Sequence, residues 1–129
     1  MRQFIASAVV VVTVLAGCSK LTAEEQASLA AKGYYSHLVA GEYELFMEGR
    51  ADNDGLADSY REELLAAFKQ FRAQQERDHR GVREIRVSSA KADTAQHFVN
   101  VFLVLCYGDS LDEEIVVPMV ERDGKWKMK

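Results

Sequence analysis

Cys18 has the most distinctive chemical setting in the chain, because it follows directly after a short apolar run. Its thiol could form a disulfide or carry a covalent modification. Ahead of it, Arg2 supplies positive charge, residues 4–14 are apolar or small, and residues 15–17 are compact, an order typical of an export signal. The apolar stretch of eleven residues is too short to span a membrane, since a spanning helix needs about 20. We therefore expect residues 1–17 to be a signal peptide.

Residues 15–18, Leu-Ala-Gly-Cys, resemble the lipobox of bacterial lipoproteins. The resemblance implies that the Cys18 sulfur becomes a diacylglyceryl thioether, that the chain is cut after Gly17, and that the new amine is acylated, as with palmitate. Several acyl chains anchor a protein stably, whereas a single chain holds it only weakly. In such lipoproteins an Asp after the cysteine tends to retain the protein in the inner membrane, and this chain has Ser19. We therefore expect an outer-membrane anchor at Cys18, facing the periplasm.

Cys106 is the other of the two cysteines, and lipidation of Cys18 would leave it without a partner. No internal disulfide is then expected, and Cys106 is most simply interpreted as a small buried hydrophobic residue. The alternative for Cys18, a free or disulfide-bonded cysteine in a retained signal, is disfavoured by the preceding Leu-Ala-Gly.

The charge balance limits the classes of partner. The 129-residue chain has 16 Lys and Arg against 20 Asp and Glu, a net charge of −4 at pH 7. This balance, without a basic cluster, argues against nucleic acid and against electrostatic docking on anionic lipid. We expect residues 18–22 to form the lipidated cysteine and a short tether, and residues 23–129 to form a single domain.

The three histidines are 42 and 18 residues apart, and the chain contains no His-x-x-x-His or Cys-x-x-Cys spacing. Such spacings place metal ligands close together on one element. We therefore expect neither a metal nor a cofactor.

Helical patterns fill the first part of the mature chain. Thr22 and Glu25 have the spacing of a capping box, and apolar residues then recur every three or four positions, which predicts a helix over 23–40. A short apolar cluster over 43–47 predicts one or two further turns. A second stripe predicts a helix that ends near residue 79, with Ser59 and Glu62 as a possible second capping box.

The apolar period changes to two after Gly81, which predicts four antiparallel strands over 82–87, 95–107, 114–120 and 125–128. Asp123-Gly124 between the last two is typical of a tight hairpin. Pro118, whose nitrogen cannot donate a hydrogen bond, should lie where that nitrogen faces away from the backbone hydrogen bonds of a paired strand.

The second strand is apolar on both sides, with Phe98, Phe102, Val104 and Cys106 on one side and Val99, Val101, Leu103, Leu105 and Tyr107 on the other. A strand of this kind must be covered on both faces. The helices can cover one face. A homodimer, another partner or a long loop could cover the second, and the alternative is a strongly curved sheet whose own ends and loops fold over it.

The order of helices and strands, together with "GVREIRV" and the terminal "ERDGKWKM", resembles the nuclear transport factor 2-like (cystatin-like) superfamily. Within it, the chain is similar to small lumazine-binding-like lipoproteins of unknown function. The resemblance implies an α+β fold in which N-terminal helices pack on a curved, cone-shaped antiparallel sheet of about four strands.

The open end of that cone often binds a small apolar or amphipathic molecule. The resemblance implies that six residues point inward: Tyr34, Tyr60, Phe68, Asn100, Phe102 and Trp126. Each also has a purely structural interpretation. The tyrosines can be core residues with hydroxyls at the rim, and the Asn100 amide can bond to backbone or water.

Two functions stay open on the sequence alone. The first is a membrane-anchored, non-catalytic binding or interaction module of the cell envelope. The second is a small proton-transfer enzyme, because isomerases and dehydratases of the superfamily place acids, histidines and tyrosines inside the cone. The available side chains are Tyr34, His37, Asp52, Asp54 and His97, but no motif assigns roles to them.

Overall fold

The computed structural model describes residues 20–129. The expected signal peptide and Cys18 lie outside the described residues. In chain order the elements are α1 (Ala23–Val39), α2 (Tyr43–Glu48), a short 3-10 turn (Asn53–Gly55), α3 (Asp58–His79), β1 (Val82–Asp93), β2 (Phe98–Tyr107), β3 (Asp112–Arg122) and β4 (Lys125–Met128).

The predicted capping box at the start of α1 is confirmed. Glu25 N donates to Thr22 Oγ1 at 3.1 Å, and Thr22 N donates to Glu25 Oε1 at 2.9 Å. Further along, Ala27 and Ala31 are fully buried. Because these two small residues lie one turn apart on the same face, α1 can approach the sheet closely.

The second predicted capping box is wrong. α3 begins at Asp58, with Ala57 at the N-cap position and no side-chain capping bond, so Ser59 lies inside the first turn. The predicted end is confirmed, because α3 stops at His79 and Arg80 has the left-handed φ of 63° that ends a helix.

The four strands form one antiparallel sheet in the order β1-β2-β3-β4, as predicted. Asp123 and Gly124 have φ values of 54° and 80°, which a two-residue hairpin turn of this type requires. Pro118 lies where β4 ends, and its carbonyl accepts a bond from Lys129 N at 2.8 Å. Because N and O of a strand residue point to the same side, the Pro118 nitrogen faces away from β2, as predicted.

The helices cover one face of the sheet, and the core lies between them. Its buried residues are Ala27, Ala31, Leu38, Phe46, Ile85, Val99, Val101, Leu103, Leu105, Tyr107, Val117, Met119 and Met128. Residues 20–129 therefore supply a complete hydrophobic core of their own. Cys106 is free and buried, which confirms its interpretation, and its Sγ accepts a bond from Arg86 Nε at 3.4 Å.

Candidate functional site

α3 contacts the rest of the domain through few side chains. It has 22 residues, none of them buried. The Phe68 ring stands edge-on to Phe46 with centroids 4.9 Å apart, and Arg72 Nε donates to Val39 O at 2.8 Å. The helix therefore packs loosely, and open space remains between it and the sheet.

That space is a cleft of about 460 Å³ between α3 and the helix-facing side of the sheet. Its volume lies within the usual range for small-molecule sites, about 300–1,000 Å³. Aromatic and aliphatic side chains form most of its walls, with only three polar groups among them. The lining residues are Tyr35, Leu38, Phe46, Ala67, Phe68, Phe71, Gln75, Leu105, Glu113 and Ile115.

Gln75, which lines this cleft, carries an unsatisfied polar atom. Its Oε1 is buried, and within residues 20–129 it accepts no hydrogen bond. A buried acceptor without a partner costs about 1–3 kcal/mol. A bound molecule that donates a hydrogen bond would recover part of that cost.

Glu113 brings a carboxylate to the same cleft. It pairs with Leu105 across β2 and β3, and Leu105 is buried against the helices, so Glu113 also lies on the helix-facing side. The Tyr107 hydroxyl donates to Glu113 Oε1. Burial, and secondly this bond to Glu113, raise the pKa of Tyr107 well above its ordinary value. Tyr107 therefore keeps its proton at neutral pH, and the Glu113 oxygen accepts.

The C-terminal end of α3 is fixed beside this pair. The His79 ring stacks on Tyr107 with centroids 4.1 Å apart. His79 Nδ1 lies 2.9 Å from Asp109 Oδ2, and Asp109 N donates to His79 O at 3.0 Å. The hydrogen bond from His79 is the main cause that lowers the pKa of Asp109. α3 is thus attached firmly at one end and loosely along the cleft.

Of the six predicted pocket residues, Phe68 lines the cleft. Tyr34 has a structural contact instead, since its hydroxyl donates to Trp126 O at 2.8 Å. Trp126 Nε1 donates to Gln26 Oε1 at 3.1 Å, and Tyr60 is 45% exposed near the start of α3. A role in ligand binding stays a prediction for these residues.

Asn100 and Phe102 lie on the outer face of the sheet, which corrects the prediction that they point into the cone. Successive strand residues point to opposite faces, and in β2 the residues that are buried under the helices include Val101 and Leu103. Phe102 is paired with Val116, which is 51% exposed. Both faces of β2 are apolar in sequence, so hydrophobicity alone did not identify the helix-facing one.

The outer face carries an apolar stripe: Phe98, Phe102, Val104, Val116, Pro118 and Val120. Lys129 Nζ lies 4.9 Å from the Phe98 ring centroid, so the chain's last residue covers part of the stripe. The predicted homodimer through this face stays a prediction, which light scattering of the domain at high concentration would test.

The side chains that the sequence offered for proton transfer do not line the cleft: Tyr34, His37, Asp52, Asp54 and His97. His37 Nδ1 pairs with Glu42 Oε1 at 2.8 Å near the surface. A hydrogen bond from Arg50 lowers the pKa of Asp52. The structure thus does not assemble this set into a site.

Neither a metal cluster nor a membrane span is found in the part of the chain that the structure describes. Among residues 20–129, no three His, Cys, Asp or Glu side chains are grouped as ligands for a metal ion. No helix in that range combines the length and apolar character that a bilayer-spanning segment needs.

The sequence reasoning missed Gln75 and Glu113. A signal for Gln75 was available, because it follows Phe68 and Phe71 at helical spacing and is the polar member of that apolar stripe. Glu113 had a weaker signal. It lies two and four positions before Ile115 and Val117 along β3, so its side chain lies on the same face of the sheet as theirs.

No family model matches the chain, and no curated protein shows significant similarity to it. Among solved structures, the chain is similar to a candidate NTF2-like transpeptidase from Campylobacter jejuni. The TM-score is 0.59 at 16% sequence identity, and the match covers 76% of this chain and 92% of that chain. A likeness at this identity concerns the fold alone. The domain therefore has the nuclear transport factor 2-like fold, helices followed by an open four-stranded antiparallel sheet.

Proposed function

We propose that this chain is a lipid-anchored protein of the bacterial cell envelope whose domain binds a small amphipathic molecule without transforming it. The anchor is Cys18, in the outer membrane and facing the periplasm. The binding site is the cleft beneath α3. The observation that carries the binding role is that this cleft is open and mostly apolar, and that one of its lining residues, Gln75, has a buried Oε1 without a hydrogen-bond partner among residues 20–129.

The anchor is supported by the sequence of residues 1–19, in which a short apolar run ends at Leu-Ala-Gly-Cys. Cys18→Ala should abolish incorporation of radiolabelled palmitate and move the full chain out of the detergent phase. Cys106→Ala is the matched control, because it removes the other cysteine, and it should leave labelling unchanged. Equal labelling of wild type and Cys18→Ala would reject the anchor.

The binding role is supported by how the cleft is built. Phe46, Phe68 and Phe71 offer apolar surface, while Gln75 and Glu113 add polar contacts. Small-molecule sites commonly have this composition, mostly apolar with a few polar groups that orient the ligand. A solidly packed cone would offer no such space.

Filling the cleft tests the binding role. N-phenyl-1-naphthylamine is a suitable fluorescent probe, because it is apolar and has one N–H donor. Ala67 lines the cleft, so Ala67→Phe should lower probe affinity at least about fivefold by taking up its space. Ala66→Phe is the control, since Ala66 is exposed beside it on α3 and does not line the cleft.

Two results would reject the binding role. One is that the wild-type domain does not bind the probe. The other is that Ala67→Phe and Ala66→Phe bind it as tightly as wild type, which would place the probe elsewhere.

The Glu113 carboxylate favours proton transfer as a second candidate function, because it meets the Tyr107 hydroxyl at the cleft. Glu113 would be the base and Tyr107 the hydrogen-bond donor. Exchange of α-protons of a bound ketone for deuterium, lost in Glu113→Gln, would support it. Transpeptidase activity, named for the Campylobacter protein, would need a nucleophile, and the residues that line this cleft include no Cys, Ser or Thr.

A further inference from the structure

The polar groups of the cleft beneath α3 have a common property that indicates the kind of ligand. Among residues 20–129, Glu113 is the only charged residue that lines it, and the buried Oε1 of Gln75 accepts no hydrogen bond. The third polar group is the Tyr35 hydroxyl, which can donate or accept. The cleft thus offers negative charge and hydrogen-bond acceptors at its polar positions.

Positive side chains do not offset this charge inside the cleft. The lining residues include no Lys, Arg or His. Arg72, which follows Phe71 on α3, uses its Nε to donate to Val39 O at 2.8 Å. A bound anion would therefore face Glu113 without a compensating charge.

The walls suit a cation as well as an apolar body. Tyr35, Phe46 and Phe68 form a chain of edge-to-face rings, with centroids 5.1 Å apart for the first pair and 4.9 Å for the second. The faces of aromatic rings carry partial negative charge and attract ammonium groups. Aromatic walls with one carboxylate are a combination that recognises amines.

We propose that the cleft binds a primary amine carried on an apolar body, in its protonated form. This inference rests on the proposed function, and it names the class of ligand. An ammonium group has three N–H donors. It would donate to the Glu113 carboxylate and to Gln75 Oε1, which satisfies the buried acceptor, while its apolar body lies against the phenylalanine rings.

Three probes that share one apolar body test the preference for an amine: 1-naphthylmethylamine, 1-naphthylmethanol and the anion of 1-naphthaleneacetic acid, called the acetate below. They differ in charge at the same position, being cationic, neutral and anionic at pH 7. Each is titrated into the ¹⁵N-labelled domain of residues 20–129, which contains the described core, and followed by two-dimensional NMR. We expect shifts at Phe68, Gln75 and Glu113, with the amine bound about tenfold more tightly than the alcohol and the acetate weakest.

Two variants assign that preference to the carboxylate. Glu113→Gln keeps an oxygen for the Tyr107 hydroxyl but removes the charge, and it should lower amine affinity about tenfold while leaving the alcohol within about twofold. Glu114→Gln is the matched control. Glu114 pairs with Val104 on the outer face of the sheet, so this variant should leave both affinities unchanged.

A third variant tests the unpartnered oxygen. Gln75→Leu removes the acceptor and keeps an apolar side chain of similar length. It should weaken the amine about threefold or more and raise the melting temperature of the free domain, because a buried unsatisfied group is gone. A lower melting temperature with unchanged amine affinity would remove Gln75 from the proposal.

The outcomes separate the two levels of the proposal. If none of the probes shifts the cleft residues, the binding role itself fails. If the alcohol binds in the cleft at least as tightly as the amine, or if Glu113→Gln and Glu114→Gln have equal effects, the binding role stands and the amine class is rejected.

Discussion

α1 and α3 lie on the same side of the same sheet, but they contact it in different ways. α1 places Ala27 and Ala31 fully out of solvent, and Leu38 is 3% exposed. α3 is longer, with 22 residues against 17, and none of its residues is buried. One helix is therefore part of the core, whereas the other covers a cleft.

The difference follows from the size of the residues that each helix turns toward the sheet. Because alanine side chains are small, the α1 backbone can approach the sheet closely and pack against it at the high density of a protein interior. α3 presents the larger residues Phe68 and Phe71, whose side chains line the cleft. A single apolar face can thus support both a packed core and an open cleft, and the substitutions below test this division.

The largest effect on stability is expected when the same substitution, Ala→Phe, is made in α1 and, separately, in α3. Ala31→Phe must fit a ring where the native residue has 0% exposure, so it should lower the free energy of unfolding by about 3 kcal/mol. Ala67→Phe has the cleft to enter and should change it by less than about 1 kcal/mol. Urea denaturation followed by circular dichroism measures both.

The control for this pair is Ala66→Phe, which reports the helix-propensity cost of Phe at an exposed position on α3. Equal destabilisation by Ala31→Phe and Ala67→Phe would mean that α3 is packed as closely as α1.

Two glycines on the α1 side give a smaller, paired effect. A Cβ at Gly49 would lie 2.5 Å from the Tyr34 ring, whose hydroxyl is held by Trp126 O, so Gly49→Ala should cost about 2 kcal/mol. Gly33 lies within α1, and apart from its chain neighbours and the surrounding helix backbone no atom lies within 4 Å of an added Cβ. Gly33→Ala should therefore raise stability by about 0.5–1 kcal/mol. The two melting temperatures should move in opposite directions, and shifts of the same sign would contradict the close contact.

The smallest effect concerns the fixed end of α3. The folded-state pKa of Asp109 is lowered, chiefly by the bond from His79. A carboxyl with a lowered pKa contributes stability above its unfolded value, near 3.8, and loses it as pH falls through the folded pKa. Asp109→Asn should therefore reduce the loss of stability on acidification below about pH 4.

Asp123→Asn, in the β3–β4 turn, controls for removal of one carboxylate elsewhere. Urea midpoints at pH 7, 4 and 3 provide the comparison. If wild type and Asp109→Asn lose stability in parallel below pH 4, then the His79–Asp109 bond does not hold the end of α3.

The fold was largely predictable from local signals. The change of apolar period at Gly81 separated helices from strands, and Asp123-Gly124 placed the last hairpin correctly. The second capping box failed because Ser59 has the right spacing to Glu62 but lies two positions after the N-cap residue, Ala57. Local spacing does not fix helix starts to a single residue.

The site was less predictable. Alternation divides β2 into two sets, but both are apolar, so the sequence could not decide that Leu103 rather than Phe102 faces the helices. The cleft exists because α3 stands away from the sheet, and that separation depends on the combined size of side chains from several elements. Gln75 on α3 and Glu113 on β3 come to line the same cleft only in the folded domain.

Amide hydrogen exchange of the domain, with and without N-phenyl-1-naphthylamine, tests the contrast between α1 and α3 most directly. We predict that core amides of α1 exchange only on global unfolding, that α3 amides near Phe68 and Phe71 exchange on the order of 100-fold faster by local opening, and that the probe slows exchange in α3 alone. Equal protection of the two helices, unchanged by the probe, would contradict the account.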